Sequence, residues 1–285
     1  MPEYIAITPA RDEEALLPGL ISSMTAQTCK PRRWIIIDDG SSDSTGAIID
    51  RAASQHRWIE PRHLPANRPR AAGGESVIMR FLPPEIWRDY DFILRLDADL
   101  TFAPDTIELV MTEFAKDPKL GLAGTVLHER RDSGWREVRH PSFHTRGAFK
   151  MYSSECFAKI GGLTAGIGWD TIDEAHAMML GFTTRSFRHI IAYHHRPQGA
   201  AGGILHGRFG TGRTAYVLGY SPLFMIVRSL SRIASSPPMV GSLMLLAGYF
   251  DGYLRRLPRS ASPELIKFIR RQQHRRLLML PSAWR

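Results

Sequence analysis

The sequence predicts an α/β protein with a mainly parallel central sheet flanked by helices. Two observations carry that expectation. Short apolar runs alternate with segments of helical period through the first two thirds of the chain, and acidic or polar clusters follow three of those runs. In order, "YIAIT" reads as strand, "DEEALLPGLISSMTAQ" as helix, "WIII" as strand and "DSTGAIIDRAASQ" as helix. "ESVIMRFL" then reads as helix, "DFILRL" as strand, "PDTIELVMTEFAKD" as helix and "LGLAGTVL" as strand. Open sheets of this kind bind ligands beyond the carboxyl ends of their strands. "TPARDEE", "DDGSSD" and "DAD" all fall at such ends, so three loops are expected to converge on one rim.

At 285 residues, with 44% hydrophobic and 23% charged residues, the chain has the size and composition of a folded globular protein. Cys29 and Cys156 lie far apart with no CxxC or Cys/His spacing, which argues against a zinc site and for two ordinary buried thiols. Met1-Pro2-Glu3 leads straight into a strand-like run without the basic and long apolar regions of a secretory signal, so a cytoplasmic location is expected. Charge divides unevenly: residues 185–285 hold 16 Lys/Arg against 2 Asp/Glu, whereas residues 1–184 hold 21 against 26. A basic end of this kind suits an anionic partner, a membrane surface or a nucleic acid.

Near residue 205 the pattern changes to "GGILHGRFGTGRTAY" followed by apolar stretches broken by arginines. The expected division is therefore a catalytic domain over 1–204 and a C-terminal helical region over 205–285. "AYVLGYSPLFMIV" and "MVGSLMLLAGYF" fall short of the ~18–20 apolar residues that span a bilayer. With "ELIKFIRRQQHRRLLML", in which basic residues interleave leucine and isoleucine, they have the composition of helices lying on anionic lipid. The same pattern also fits a subdomain packed on the core or a dimer interface.

Asp97 and Asp99 in "LRLDADL" are two residues apart, so at a strand end both carboxylates reach toward one small volume. A hard divalent ion such as Mg²⁺ or Mn²⁺ takes oxygen ligands and is commonly shared with substrate phosphates, which implies a diphosphate-bearing substrate.

"ITPARDEE", "IIIDDGSSDST", "LRLDADL" and "GWDTIDEAHAMMLGFTTRSF" occur in the order found in family 2 glycosyltransferases of the GT-A fold, and the chain resembles that family over roughly residues 3–195. The resemblance implies a nucleotide-diphosphate sugar, a divalent metal on the DxD aspartates, and inversion by a single displacement assisted by an Asp base. It assigns Pro9, Ala10, Arg11 and Glu13 to a nucleotide-contacting loop and Asp39, with Asp38 beside it, to the nucleobase. A carboxylate suits an imide N–H of a pyrimidine, and a UDP-linked donor is favoured. "DGSSD" also has the form of a turn that caps the next helix through Ser42 or Asp43. Either Arg68 or Arg70 is expected at the nucleotide, and Asp97 beside its diphosphate.

For the base, the resemblance points to Asp170, eleven residues before Gly181, with Asp173 the alternative. Trp169 stands where the family usually has Glu. The same two aspartates also have the spacing of a helix-capping box. Of His194 and His195, His195 is the expected third metal ligand. Arg208 and Arg213 are expected to close over the diphosphate on a flexible loop supplied by Gly207, Gly210 and Gly212. Polymerising members carry a QxxRW motif that is absent here, so a single transfer to a lipid-linked or saccharide acceptor at the inner membrane face is expected. A nucleic-acid binder would leave the acidic loops unexplained, a silent scaffold would not need them, and no G-x-G-x-x-G follows the first strand to suggest a dinucleotide enzyme.

Overall fold

The computed structural model of the chain describes residues 2–66, 75–131, 134–164, 166–196, 203–233 and 238–284. Its elements run β1 (Tyr4–Ala10), α1 (Leu17–Thr25), β2 (Arg33–Asp38), α2 (Thr45–Gln55), β3 (Ile59–His63), α3 (Glu75–Phe81), α4 (Pro84–Trp87) and β4 (Phe92–Leu96). There follow β5 (Leu100–Phe102), α5 (Thr106–Lys116), β6 (Leu120–Arg131), β7 (Gly134–Glu137), β8 (Phe149–Ser153), α6 (Ser154–Ile160), α7 (Trp169–Met179) and β9 (Thr183–His194). Among the described residues the last elements are the helices α8 (Gly203–Val217), α9 (Pro222–Leu230), α10 (Val240–Leu254) and α11 (Pro263–Leu277).

One sheet orders the strands β3-β2-β1-β4-β8-β6-β9-β5, with β7 beside β6. β3, β2, β1 and β4 are parallel neighbours, and β6 and β9 share their direction because β8 reverses between β4 and β6. The central strands are buried on both faces, which is why they read as continuous apolar runs. Period-two alternation divides them between two cores. Tyr4, Ala6, Trp34 and Ile36 enter one core together with Leu20 of α1 and Ile107 of α5. Ile5, Ile7, Ile35 and Ile37 enter the other with Ile78 of α3 and Phe157 of α6. Trp34, fully buried, donates its indole N–H to Thr8 Oγ1 at 3.0 Å, so its burial leaves no polar atom stranded.

The first helix is shorter than its apolar period suggests. Pro18 is tolerated only in the first turn, so α1 begins at Leu17 and the preceding residues form a turn in which Leu16 and Leu17 donate to Glu13 O. The strands β3, β5, β7 and β8 were not anticipated. β5 is only three residues long, and β8 carries a lysine at its second position.

The glycine-rich stretch after residue 203 is a helix rather than the expected loop. α8 and α10 cross so closely that a Cβ on Gly212 would run into Leu245 O and Tyr249 N, and one on Gly248 into Phe209 O. The absence of a side chain at these positions serves backbone approach, and tertiary packing overrides the poor helix propensity of glycine. A third core joins Tyr216, Phe224, Leu245, Tyr249 and Ile269 of these helices to Ile172, Ala175 and Met178 of α7. No helix among the described residues is long and apolar enough to cross a membrane.

Replacing Gly248 by Leu should force α8 and α10 apart and cost about 1–3 kcal/mol. Urea unfolding should show the loss as a lower midpoint. An unchanged midpoint would mean that the close crossing does not contribute to stability.

Candidate active site

Asp97 and Asp99 lie in the turn between β4 and β5, where the Asp97 N–H is anchored on Ala148 O at 2.8 Å. β5 pairs antiparallel with the end of β9, Leu100 opposite His194, while Glu129 of β6 faces His194 from the other side. This register brings Nε2 of His194 to 3.1 Å from Asp99 Oδ1. One ligand atom from each of Asp97, Asp99 and His194 falls within 4.8 Å of the others. Asp99 Oδ1 is buried without a well-formed hydrogen bond. Two carboxylate oxygens and an imidazole nitrogen around a buried, poorly satisfied oxygen fit a divalent ion of the Mn²⁺ or Mg²⁺ type. Burial works against charge on His194, but Asp99, with Asp97 and Glu129, outweighs it and holds the imidazole pKa above its ordinary value.

The expected ligand His195 is not in this cluster. Successive strand residues point to opposite faces, and His195 turns its Nε2 to Thr101 Oγ1 at 2.8 Å while its backbone N–H donates to Asp99 O at 3.0 Å. His195 therefore braces the aspartate loop, and His194 faces the carboxylates.

Arg95, two residues before Asp97, was missed in the sequence although it shares the strand face of that aspartate. Its guanidinium lies 2.7 Å from Asp97 Oδ1, donates to Gly147 O, and sits 4.9 Å from the centre of the Trp169 ring. Trp169 thus replaces the expected acidic residue with an aromatic platform over two cations, Lys150 Nζ lying 5.2 Å from the same ring. Gly147 makes room for the indole, because a Cβ there would stand 2.6 Å from Trp169 Cζ2.

Asp170 follows in the first turn of α7, half-buried, its carboxylate without a hydrogen bond among the described residues. No capping box forms, since the N-cap is Gly168 with no side-chain bond. Asp173 is buried and committed elsewhere: Lys150 Nζ donates to both its oxygens at 2.9 and 3.0 Å, and Tyr152 Oη also donates to it. Glu174 accepts from Thr145 N and Oγ1 at 2.6 and 2.7 Å and bonds His144 Nδ1 at 2.9 Å. Burial drives the Asp173 carboxyl up to about 7 against the pull of Lys150, while His144 and Lys150 overcome burial and hold Glu174 below its usual range. Of the three acids Asp170 alone has a carboxylate open to a substrate, whereas Asp173 fixes Lys150, which also donates to Asp170 O at 2.7 Å. A lysine inside the apolar run "AFKMY" was the available sequence signal for this network.

The loops after β1 and β2 are clasped together. Asp12 accepts from Ser42 N at 2.7 Å, Asp43 accepts from Glu14 N at 3.1 Å and from Thr45 N at 2.9 Å, and Asp39 N donates to Ala10 O at 2.8 Å. Glu13 takes a bidentate contact from Arg196, both distances 2.8 Å, and burial raises its pKa above the ordinary value despite that partner. Arg11 keeps a buried Nη1 without a hydrogen-bond partner, beside Pro9 and Ala10 at the end of β1. Asp38 and Asp39 are both buried; Asp38 accepts from Ser41 N at 2.8 Å and its Oδ2 lies 3.4 Å from His63 Nδ1. His63, also missed, bonds Asp50 at 2.8 Å through its other nitrogen. Arg68 and Arg70 lie outside the described residues. Arg213 is bonded to Asp251 of α10 at 2.6 Å, and Arg208 lies on the same helix α8.

Residues 5–169, more than half of the chain, match the family model for Glycosyl transferase family 2. The chain belongs to glycosyl transferase family 2. Within it, the chain is 32% identical over 135 residues to an undecaprenyl-phosphate 4-deoxy-4-formamido-L-arabinose transferase of Pectobacterium carotovorum, covering 46% of this chain and 39% of that protein. It is 29% identical over 110 residues to a poly-beta-1,6-N-acetyl-D-glucosamine synthase of Staphylococcus aureus, covering 39% of this chain and 25% of that one. The chain thus spans about two fifths or less of the length of these curated relatives. Among solved structures, the mannosyltransferase PcManGT of Pyrobaculum calidifontis, in complex with GDP-Man and Mn²⁺, superposes with a TM-score of 0.56 at 15% identity, over 99% of this chain and 76% of that chain. TarS residues 1–349 of S. aureus, in complex with UDP-GlcNAc, gives 0.53 at 13% identity, over 89% and 73%. The fold is therefore GT-A, as the order of the sequence motifs implies.

Changing Lys150 to Met would leave Asp173 and Glu174 without their shared buried cation and should cost about 3–5 kcal/mol. Denaturant unfolding measures this directly, and a loss below about 1 kcal/mol would place the network outside the forces that fix α7.

Proposed function

We propose that the protein transfers a sugar from a nucleotide-diphosphate donor to a hydroxyl of a lipid-linked or saccharide acceptor, with inversion at the anomeric carbon. The observation that carries this reading is the meeting of Asp97, Asp99 and His194 at the strand ends, with Asp170 on the helix whose first residue stacks on Arg95. The donor nucleotide lies over the loops after β1 and β2, where Arg11 has an unused buried donor for its phosphates and Asp39 meets the base. UDP is favoured. The relatives agree in class, since one is named for transfer to undecaprenyl phosphate and another for polymerising N-acetylglucosamine, and the structural neighbours hold nucleotide sugars, GDP-Man in one and UDP-GlcNAc in the other.

A divalent ion, Mn²⁺ or Mg²⁺, on the two aspartates and His194 would supply positive charge to the departing diphosphate. Asp170 takes the acceptor proton as the acceptor oxygen bonds the anomeric carbon and the bond to the diphosphate breaks. Arg95 steadies Asp97, and the Lys150 network holds the turn that carries Asp170. In this reading residues 1–204 perform the chemistry, and residues 205–285 hold the protein against the inner face of the membrane. The exposed residues Leu223, Ile226, Val227 and Leu230 make one apolar face of α9 for that purpose.

Calorimetric titration with UDP, GDP and dTDP, each with Mn²⁺ and with EDTA, should show metal-dependent binding of one nucleotide. Asp99→Asn should abolish it, whereas Asp170→Asn should bind normally and lose at least about 100-fold in turnover. Wild-type transfer by both variants would refute the assignment.

A further inference from the structure

A cavity of about 490 Å³ opens between α7, the 141–144 segment and the tail helices. One face of α7 lines it through Thr171, Glu174, Ala175 and Met178, which recur at positions i, i+3, i+4 and i+7. Thr171 directly follows Asp170, so the helix that carries the proposed base also walls this cavity. The opposite wall is apolar, made by Phe143, Phe224, Val227, Leu277 and Trp284, with the Phe143 and Trp284 rings stacked at 5.8 Å.

Three arginines share that lining: Arg228 and Arg232 from α9 and the turn after it, and Arg276 from α11. No carboxylate forms an ion pair with any of them among the described residues. Burial, and then the charges of Arg228, Arg208 and Arg276, push the Arg232 pKa below its ordinary value, as nearby cations do. Such a cluster attracts a multiply charged anion, and guanidinium forks suit phosphate oxygens. Val227 belongs both to the cavity and to the exposed apolar face of α9, while Met279, at the cavity edge, is 86% exposed. The cavity therefore opens onto apolar surface, an arrangement suited to a ligand that arrives from a membrane with its chain still partly in it.

We propose that this cavity binds a lipid phosphate, its phosphate held by Arg228, Arg232 and Arg276 and the first part of its hydrocarbon chain lying on Phe224, Val227, Leu277 and Trp284. Its identification as the acceptor, or the carrier of the acceptor, rests on the glycosyl-transfer reading; the binding itself does not. A phosphate group is specified by the arginines, and a chain rather than a free anion by the apolar wall.

Equilibrium dialysis of the full chain against radiolabelled farnesyl phosphate, kept below its micellar concentration, tests the site. Farnesol and inorganic phosphate should each bind at least about tenfold more weakly, as expected from loss of charge-assisted bonds or of apolar contact. Arg228→Gln with Arg232→Gln should weaken farnesyl phosphate by a similar factor. Val227→Trp, at an exposed position, should block the cavity without disturbing the fold, as its circular dichroism melt would verify. Equal binding of farnesol, equal binding of inorganic phosphate, or undiminished retention by both variants would overturn the proposal. Retention by anionic vesicles with none of the monomeric lipid would also overturn it, leaving a membrane-surface patch. The nucleotide titration is independent: its failure with farnesyl phosphate still bound would sink the transferase reading alone, and the converse would sink the lipid site alone.

Discussion

Leu100 pairs with His194 across a three-residue antiparallel ladder, and that pairing decides what the two carboxylates can do. The chain leaves β4, places Asp97 and Asp99, and at once forms β5 against the far end of a strand that begins more than eighty residues later. Without β5 the aspartates would be a loop in water. With it, Asp99 is buried against an imidazole, and its backbone carbonyl is tied to His195. β9 is in turn held by β6, so Glu129, His194 and Asp99 lie in one line across the sheet. The site is thus fixed by backbone pairing, which is more rigid than contacts between mobile side chains.

The second constraint is the buried cation Lys150. It belongs to β8, next to Arg95 of β4, and reaches into α7 to bind Asp173 and the carbonyl of Asp170. Burial alone would discharge it, yet the acids around it keep its pKa above the ordinary value. Arg95 and Lys150 present their charges to opposite needs, one to the aspartate loop and one to the helix start, with the Trp169 ring close to both. An aromatic residue at this position therefore couples the metal-type cluster to the helix that carries Asp170. In the proposed reading Asp173 is a positioning residue, bonded to Lys150 and Tyr152.

How much of this was legible follows from the periods involved. Strands buried on both faces announce themselves as apolar runs, and the acidic loops after them mark the strand ends, so the α/β architecture and the converging rim were readable. The histidine was not, because His194 and His195 differ only in which way the strand faces, and β5 is too short to signal the pairing that sets it. The helices of the tail were readable, but the glycine-rich stretch that opens it was not, for another reason. Glycines that let two helices touch have the same composition as glycines that let a loop move, and only the partner backbone distinguishes them. Arg213 went the same way, since its partner Asp251 lies 38 residues away on a helix whose packing no local pattern records.

The claim on which the account turns is that the strand pairing presents His194, and not His195, to a cation held by Asp97 and Asp99. Pulsed electron paramagnetic resonance of the Mn²⁺-loaded protein, prepared with isotopically labelled histidine, reads that directly. The account predicts coupling to a single histidine nitrogen, retained in His195→Gln and lost in His194→Gln. Mn²⁺ bound with no histidine coupling, or a coupling that disappears only in the His195 variant, would contradict it.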